Sequence, residues 1–275
     1  MKDLDLDLLV MEKYQRLEER LLGMGSAIVA FSGGVDSGLL VAAAQRVLGE
    51  HMLAVTVSSP VETADGCEAA KSAAQALGFP HRVVEYNDLA NHQFVANPPD
   101  RCYHCKLERL GEIRKIAAAE GFAAVLEGSN ADDTGDYRPG KRAVAELGVF
   151  SPLAEVGLTK SEIRQLAKAL GLPTWDRPSA PCLATRFPYG TPVTLEGIER
   201  IARGEAFLNG RGYHTVRVRH YGSTARLEVE PEAIARLVAE HDAVAAYFKS
   251  IGYTHVAVDL LGYRSGSLNE GLVKK

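Results

Sequence analysis

The first half of the chain alternates short apolar runs with segments of helical period. Strand-like runs lie at 27–31, 53–57, 82–86 and 123–127, and helix-like segments at 38–48, 62–77 and 105–120 fall between them. Leu8, Leu9, Met11, Leu17 and Leu21 predict an amphipathic helix ahead of the first strand. Strands alternating with helices imply parallel βαβ units in an open sheet, an α/β fold. Thr159-Lys160-Ser161-Glu162 reads as a capping box opening a helix that runs to about Leu170. Residues 173–192 break the pattern with Pro173, Pro178, Pro181, Pro188, Gly190 and Pro192, and read as a long functional loop. Beyond it the pattern predicts a helix at 194–209, strands near 214–219 and 225–229, a helix at 231–248 and a strand at 254–259. That set describes a smaller α+β domain at the C-terminal end. The expected division is 1–185 and 190–275.

Composition narrows the partners. The 275 residues carry a net charge of −4, which argues against a general nucleic-acid binder. No run of 18 apolar residues is present, so no transmembrane span is expected. The acidic amphipathic start, MKDLDLDLLVMEKYQRLEERLLG, lacks the basic and apolar regions of a secretory signal, and a cytoplasmic location is expected.

Ser32-Gly33-Gly34-Val35-Asp36-Ser37 joins the apolar run at 27–31 to a helix. Two glycines at such a turn let main-chain N–H groups come close to a ligand, and the helix start behind them favours anions. The segment therefore reads as a phosphate-binding loop for a nucleotide. It is not the Walker type, because GxxxxGK[ST] is absent. Gly128-Ser129-Asn130 falls at the end of another strand, where ligands of open α/β sheets bind.

The chain has four cysteines. Cys102-Tyr103-His104-Cys105 follows the Pro-rich stretch Asn97-Pro98-Pro99-Asp100, and Cys182 lies far downstream. A single CxxC serves as half a zinc site, a redox pair, iron–sulfur ligands or helix packing. Three thiolates suit a [4Fe–4S] cluster with one iron left open. Cys67 sits in a helix-like segment and is read as packing.

Taken together, these motifs resemble the PP-loop ATP pyrophosphatase superfamily, and within it the LarE family of ATP-dependent sulfur transferases. SGGVDSGLL carries the superfamily signature. Gly128 to Asp133 is similar to its second nucleotide-side motif, Arg177 to Gly190 to the LarE cysteine loop, and Tyr263 to Asn269 to the LarE C-terminal signature. The resemblance implies the adenine nucleotide alpha-hydrolase fold. It also implies adenylation of a carboxylate of pyridinium-3,5-biscarboxylic acid mononucleotide, with pyrophosphate release, and conversion of that carboxylate to a thiocarboxylate. ATP, Mg²⁺ and a [4Fe–4S] cluster are the implied cofactors. Ser32, Gly33, Gly34, Asp36, Ser37 and Gly128 are the expected nucleotide residues, Asp36 also holding Mg²⁺. Cys102, Cys105 and Cys182 are the expected cluster ligands, and Asp36 and Cys182 the expected catalytic residues. Arg177 and Arg186 flank Cys182 as possible positive neighbours of its thiolate. Glu205, Arg217, Arg219 and Glu228 match substrate-side residues of the family, and the two arginines alternate on a strand so as to share a face. The family holds a second chemistry, in which a lone cysteine gives up its own sulfur and becomes dehydroalanine. The extra Cys102 and Cys105 favour the cluster form, supplied by an external sulfide source. A hexamer is implied by resemblance alone. A tRNA thiolase and an amidating synthetase of the GMP or NAD type remain as alternatives, since both share SGGVDS.

Overall fold

The computed structural model describes residues 6–135, 139–177, 181–264 and 266–270. Pro178, Ser179 and Ala180 of the cysteine loop, and Ser265 of the C-terminal signature, lie outside the described residues. The chain forms two compact units: Met1–Asn87 with Asp100–Ala180, and Asp88–Pro99 with Pro181–Lys275.

The first unit begins with α1 (Leu8–Leu22), capped by the Asp7 carboxylate on the Leu9 N–H, and continues through β1 (Ala27–Ala30), α2 (Val35–Leu48), β2 (Met52–Ser58), α3 (Ala64–Leu77) and β3 (His81–Glu85). The short α4 (His92–Val95) belongs to the second unit. The first unit resumes with α5 (Arg101–Glu120), β4 (Ala124–Leu126), α6 (Gly140–Glu146), α7 (Pro152–Glu155) and α8 (Lys160–Ala169). The four strands pair in parallel in the order β3-β2-β1-β4. β1, most of β2 and β4 are buried on both faces, as the inner strands of a parallel sheet are, while the edge strand β3 is partly exposed. Ala27, Val29, Met52 and Ala54 face a core shared with α1, α2 and α8, while Ile28, Leu53 and Val55 face Leu110, Ile113 and Ala117 of α5. The chain leaves β1 toward β2 on one side and reaches β4 on the other. The carboxyl ends of β1 and β4 are thus the topological switch point, where such sheets bind ligands.

Two helices start earlier than their periodicity predicts. α2 begins at Val35 rather than 38, which puts Asp36 and Ser37 in its first turn. α5 begins at Arg101 rather than 105, so the whole CxxC is helical. Polar first turns carry no apolar stripe, so the pattern is silent there. The capping box at Thr159 and Glu162 forms as expected.

The second unit contains α9 (Leu195–Gly210), β5 (Arg217–Tyr221), β6 (Thr224–Glu228), α10 (Ile234–Ala239), α11 (His241–Ser250) and β7 (His255–Val258). β5 and β6 are antiparallel, and β7 adds to β6 in parallel. The single helix expected at 231–248 divides at Glu240, whose carboxylate is bonded by Arg211 at 2.8 Å and Arg236 at 3.1 Å. No helix among the described residues is long and apolar enough to cross a membrane.

Candidate functional site

In the first unit, the switch point is built by two close backbone approaches. Gly33 has φ +73°, and a Cβ there would lie 2.8 Å from the Gly66 carbonyl oxygen of α3. A Cβ on Gly128 would lie 3.0 Å from the Ser37 nitrogen, so the turn after β4 lies against the start of α2. Only glycine fits either position without displacing backbone. Gly34 occupies the N-cap of α2 and provides no side-chain cap, which leaves the amides of the first turn facing the loop. Ser37 Oγ donates to the Gly34 carbonyl at 3.2 Å, accepts from the Ser32 N–H at 3.3 Å and lies 3.1 Å from Ser32 Oγ. Ser32, Gly33, Gly34, Asp36, Ser37 and Gly128 are therefore brought together at this switch point.

Asp36 is the acidic residue of the first turn of α2. Its Oδ1 accepts from Asn130 Nδ2 at 3.3 Å, and its Oδ2 accepts from Lys160 Nζ. Sequence reasoning did not single out Lys160, which lies 124 residues away and looked like part of a helix cap. The arrangement offers a hard carboxylate beside unpaired helix amides, a donor set suited to Mg²⁺ and phosphate.

Cys102 and Cys105 lie in the first two turns of α5, three residues apart and hence on one face. Cys102 is exposed and Cys105 half-buried. Lys106 and Arg109 continue that face, and each grips a loop at the carboxyl edge of the sheet. Lys106 Nζ donates to Glu127 at 2.8 Å, just past β4, and Arg109 bonds Glu62, past β2. Gly140 of α6 packs over this turn, its Cβ position 3.0 Å from the Lys106 stem and 3.5 Å from the Cys102 carbonyl. Tyr103 is fixed by a 2.7 Å bond to Glu146 and by the Arg142 guanidinium 3.5 Å above its ring. Lys106 and Glu127 escaped sequence reasoning because nothing local pairs them.

Glu127 is buried, 5 % exposed. Burial pushes its carboxyl up, but Lys106 and the hydroxyls of Ser151 and Ser129 outweigh burial and hold it below the usual glutamate range. A carboxyl whose folded pKa lies below its unfolded value stabilises the fold above the unfolded pKa, and that stability is lost as pH falls through the folded value. Glu127 is therefore expected to contribute its full stabilisation at neutral pH and to lose it progressively as the pH falls below about 4.5, the ordinary value. Glu127→Gln removes that component, so its stability, followed by urea unfolding, should fall less steeply with acidification.

The second unit carries Cys182 and the four substrate-side candidates. Cys182 is half-buried, at the start of the 3₁₀ turn Leu183–Arg186. Its carbonyl accepts from Thr185 Oγ1 at 2.8 Å and Arg186 NH1 at 3.1 Å. Arg186, 2 % exposed, also donates to the Pro181 carbonyl at 2.7 Å and pairs with both oxygens of Glu205 at 2.9 Å. Glu205 Oε1 accepts the Val218 N–H at 3.0 Å. The guanidinium charge of Arg186 is thus matched by Glu205, and its donors hold the backbone of the cysteine turn.

Arg217 and Arg219 do share a face of β5, but in different states. Arg219 is buried, bonded twice to Glu228 at 2.9 and 2.8 Å, to the Thr185 carbonyl at 2.8 Å and to Ser267 at 2.8 Å. Glu228 lies opposite Arg217 in register and also accepts from Arg226 at 2.8 Å. Arg217 has no ion pair among the described residues. It donates to the Val216 carbonyl at 2.6 Å and lies 5.0 Å over the Tyr263 ring. Burial, then repulsion from Arg186, push its pKa down, with Glu205 and Tyr263 opposing. Of the four candidates, Arg217 alone has no ion-pair partner among the described residues. Among the described residues, no group of three or more His, Cys, Asp or Glu is assembled to hold a metal.

Comparison with known proteins agrees with this geometry. The asparagine synthase family matches residues 15–107, which include the SGGVDS loop. An uncharacterised protein of Synechocystis sp. is 42% identical over 95% of this chain and 98% of its own. The pyridinium-3,5-bisthiocarboxylic acid mononucleotide synthase of Lactiplantibacillus plantarum is 37% identical over 90% of each chain. An uncharacterised protein of Methanocaldococcus jannaschii is 29% identical over 86% of this chain and 90% of its own. With the nucleotide loop at the switch point of a parallel sheet and similarity running through both units, the chain belongs to the LarE family of the PP-loop ATP pyrophosphatase superfamily.

Proposed function

We propose that the protein is an ATP-dependent sulfur transferase acting on pyridinium-3,5-biscarboxylic acid mononucleotide. The observation that carries this reading is the similarity to the Lactiplantibacillus plantarum synthase over nine-tenths of both chains. In this reading a substrate carboxylate oxygen attacks the α-phosphorus of ATP, and pyrophosphate leaves toward the unpaired amides of α2. Asp36 supplies the carboxylate for Mg²⁺, which when bound screens the phosphate charge. A sulfur nucleophile then displaces AMP from the acyl-adenylate and leaves a thiocarboxylate. The adenylate makes this step favourable by turning a poor acyl donor into a good one.

The sulfur is carried, in this proposal, on a [4Fe–4S] cluster held by Cys102, Cys105 and Cys182, with sulfide from an external source. The donor chemistry supports it: three cysteines, two of them on one helical face. The competing chemistry takes the sulfur from Cys182 itself and leaves dehydroalanine. One set of variants separates the two. Under anaerobic reconstitution, native protein and Cys67→Ala should each bind about one cluster per chain. Cys102→Ala, Cys105→Ala and Cys182→Ala should each lose both iron and sulfur transfer. Intact-protein mass spectrometry after turnover should show no mass change in the native chain. Loss of the mass of hydrogen sulfide at Cys182, without iron, would establish the sacrificial route instead.

The mononucleotide is proposed to bind on the second unit, with Arg217 meeting an anionic group and Glu205, Arg219 and Glu228 completing the substrate side. Arg217→Ala should weaken mononucleotide binding by about 1.5–3 kcal/mol, the scale of a charged hydrogen bond, and leave ATP binding unchanged. Calorimetric titration with each ligand reads both quantities. Equal loss of the two would place Arg217 outside the substrate site.

A further inference from the structure

In the second unit, a tight turn seats the Tyr263 ring beside Arg217. The Leu261 N–H donates to Asp259 Oδ1 at 2.9 Å. Gly262 follows with φ +67°, and its Cβ position lies 2.7 Å from the Val229 carbonyl oxygen, so only glycine fits there. The same carbonyl accepts the Tyr263 N–H at 2.8 Å. Val229 comes directly after Glu228, the residue opposite Arg217 in the β5–β6 register, which explains why ring and guanidinium meet. Glu228 is already bonded by Arg219 and Arg226. Arg217, with no ion pair among the described residues, lies instead over the ring face, 5.0 Å from its centre. That face is the negative part of the ring's quadrupole and attracts any cation placed on it. The proposed substrate joins a cationic pyridinium ring to carboxylate and phosphate anions. A guanidinium gains more from paired, charged hydrogen bonds to such an anion than from a ring face. Once it turns to the anion, the Tyr263 face is open to the pyridinium.

We infer that Tyr263 recognises the ring of the substrate: the face now covered by Arg217 takes the pyridinium cation when that arginine moves to an anionic group of the mononucleotide. The ring thus carries a cation in both states, and the site selects a positively charged ring over a neutral one of the same outline. This rests on the reading of the second unit as the mononucleotide site, with Arg217 as its anion contact.

Calorimetric titration in the absence of ATP tests it, with two probes: pyridinium-3,5-biscarboxylic acid mononucleotide and its ring-reduced 1,4-dihydropyridine form. The probes share phosphate and carboxylates and differ in the charge of the ring. Native protein should bind the pyridinium form roughly tenfold more tightly, the scale of a partly desolvated cation–π contact. Tyr263→Phe, which keeps the ring, should retain that preference. Tyr263→Leu should bind both forms only as tightly as native protein binds the reduced one, while its ATP affinity stays native. Arg217→Ala should weaken both probes by a similar factor and keep the preference. Equal binding of the two forms by native protein, or a preference that survives in Tyr263→Leu, would overturn the role of Tyr263 and leave the mononucleotide site standing. Native protein that binds neither form would overturn that site and the inference with it.

Discussion

Replacing Asp36 with alanine is expected to lower ATP-dependent pyrophosphate release by about a thousandfold, the combined scale of losing a metal's screening and a preorganised electrostatic contact. The position explains the size. Asp36 is the acidic residue in the first turn of α2, next to amides that no side chain caps. Without it the triphosphate still meets a favourable helix start, so ATP should continue to bind. What disappears is the carboxylate that fixes the metal against the phosphates. Stability should barely move, within about 1 kcal/mol, because the partner left behind is a partly exposed lysine and such pairs contribute little. A colorimetric pyrophosphate assay and a thermal melt on the same preparation separate the effects. Release at the native rate from a folded Asp36→Ala would contradict the assignment.

The second large effect falls on stability. Arg186→Met should destabilise the protein by about 3–5 kcal/mol, the cost of leaving a buried carboxylate without its cation. Arg186 is among the largest fully buried side chains and satisfies both oxygens of Glu205. The same change frees the carbonyls of Pro181 and Cys182 from one donor. Cys182 chemistry should therefore suffer even where the fold survives. The double variant Arg186→Met/Glu205→Met should cost less than the sum of the two single changes, because neither charge is then stranded. Urea unfolding of the three variants measures the coupling. A single variant as stable as the native chain would show that the pair contributes no more than a solvated contact.

What the sequence shows and what it hides follow from the range of each interaction. β1, β2 and β4 of the first unit are legible because each is a local apolar run that is largely buried. The nucleotide loop is legible because its glycines, serines and aspartate are contiguous. The starts of α2 and α5 are not, since polar first turns give no apolar period. Nor is the return of Asp88–Pro99 to the second unit, which is sealed by Asn97 donating to the carbonyls of Pro188 and Thr191 at 2.7 and 2.9 Å. Those partners are more than 90 residues away, beyond any local signal. Lys160 meets Asp36 124 residues away, and even Lys106 on Glu127 and Arg186 on Glu205, 21 and 19 residues apart, pair across different elements. The sequence shows the charges, and only the fold reveals which carboxylate each one meets. Arg217 and Arg219 make the point most sharply. Two residues apart on one strand, they read alike, yet Arg219 is ion-paired with Glu228 and Arg217 has no ion pair among the described residues.

The fate of the substrate oxygen tests ATP-dependent sulfur transfer to the mononucleotide without intermediaries. Native protein should be incubated anaerobically with ATP, Mg²⁺, sulfide and pyridinium-3,5-biscarboxylic acid mononucleotide, and the nucleotide fraction read by mass spectrometry. The account predicts a product heavier by one oxygen-for-sulfur exchange, formed together with AMP and pyrophosphate and absent when ATP or the mononucleotide is omitted. A mononucleotide recovered unchanged, or as an amide, while ATP is consumed would contradict it.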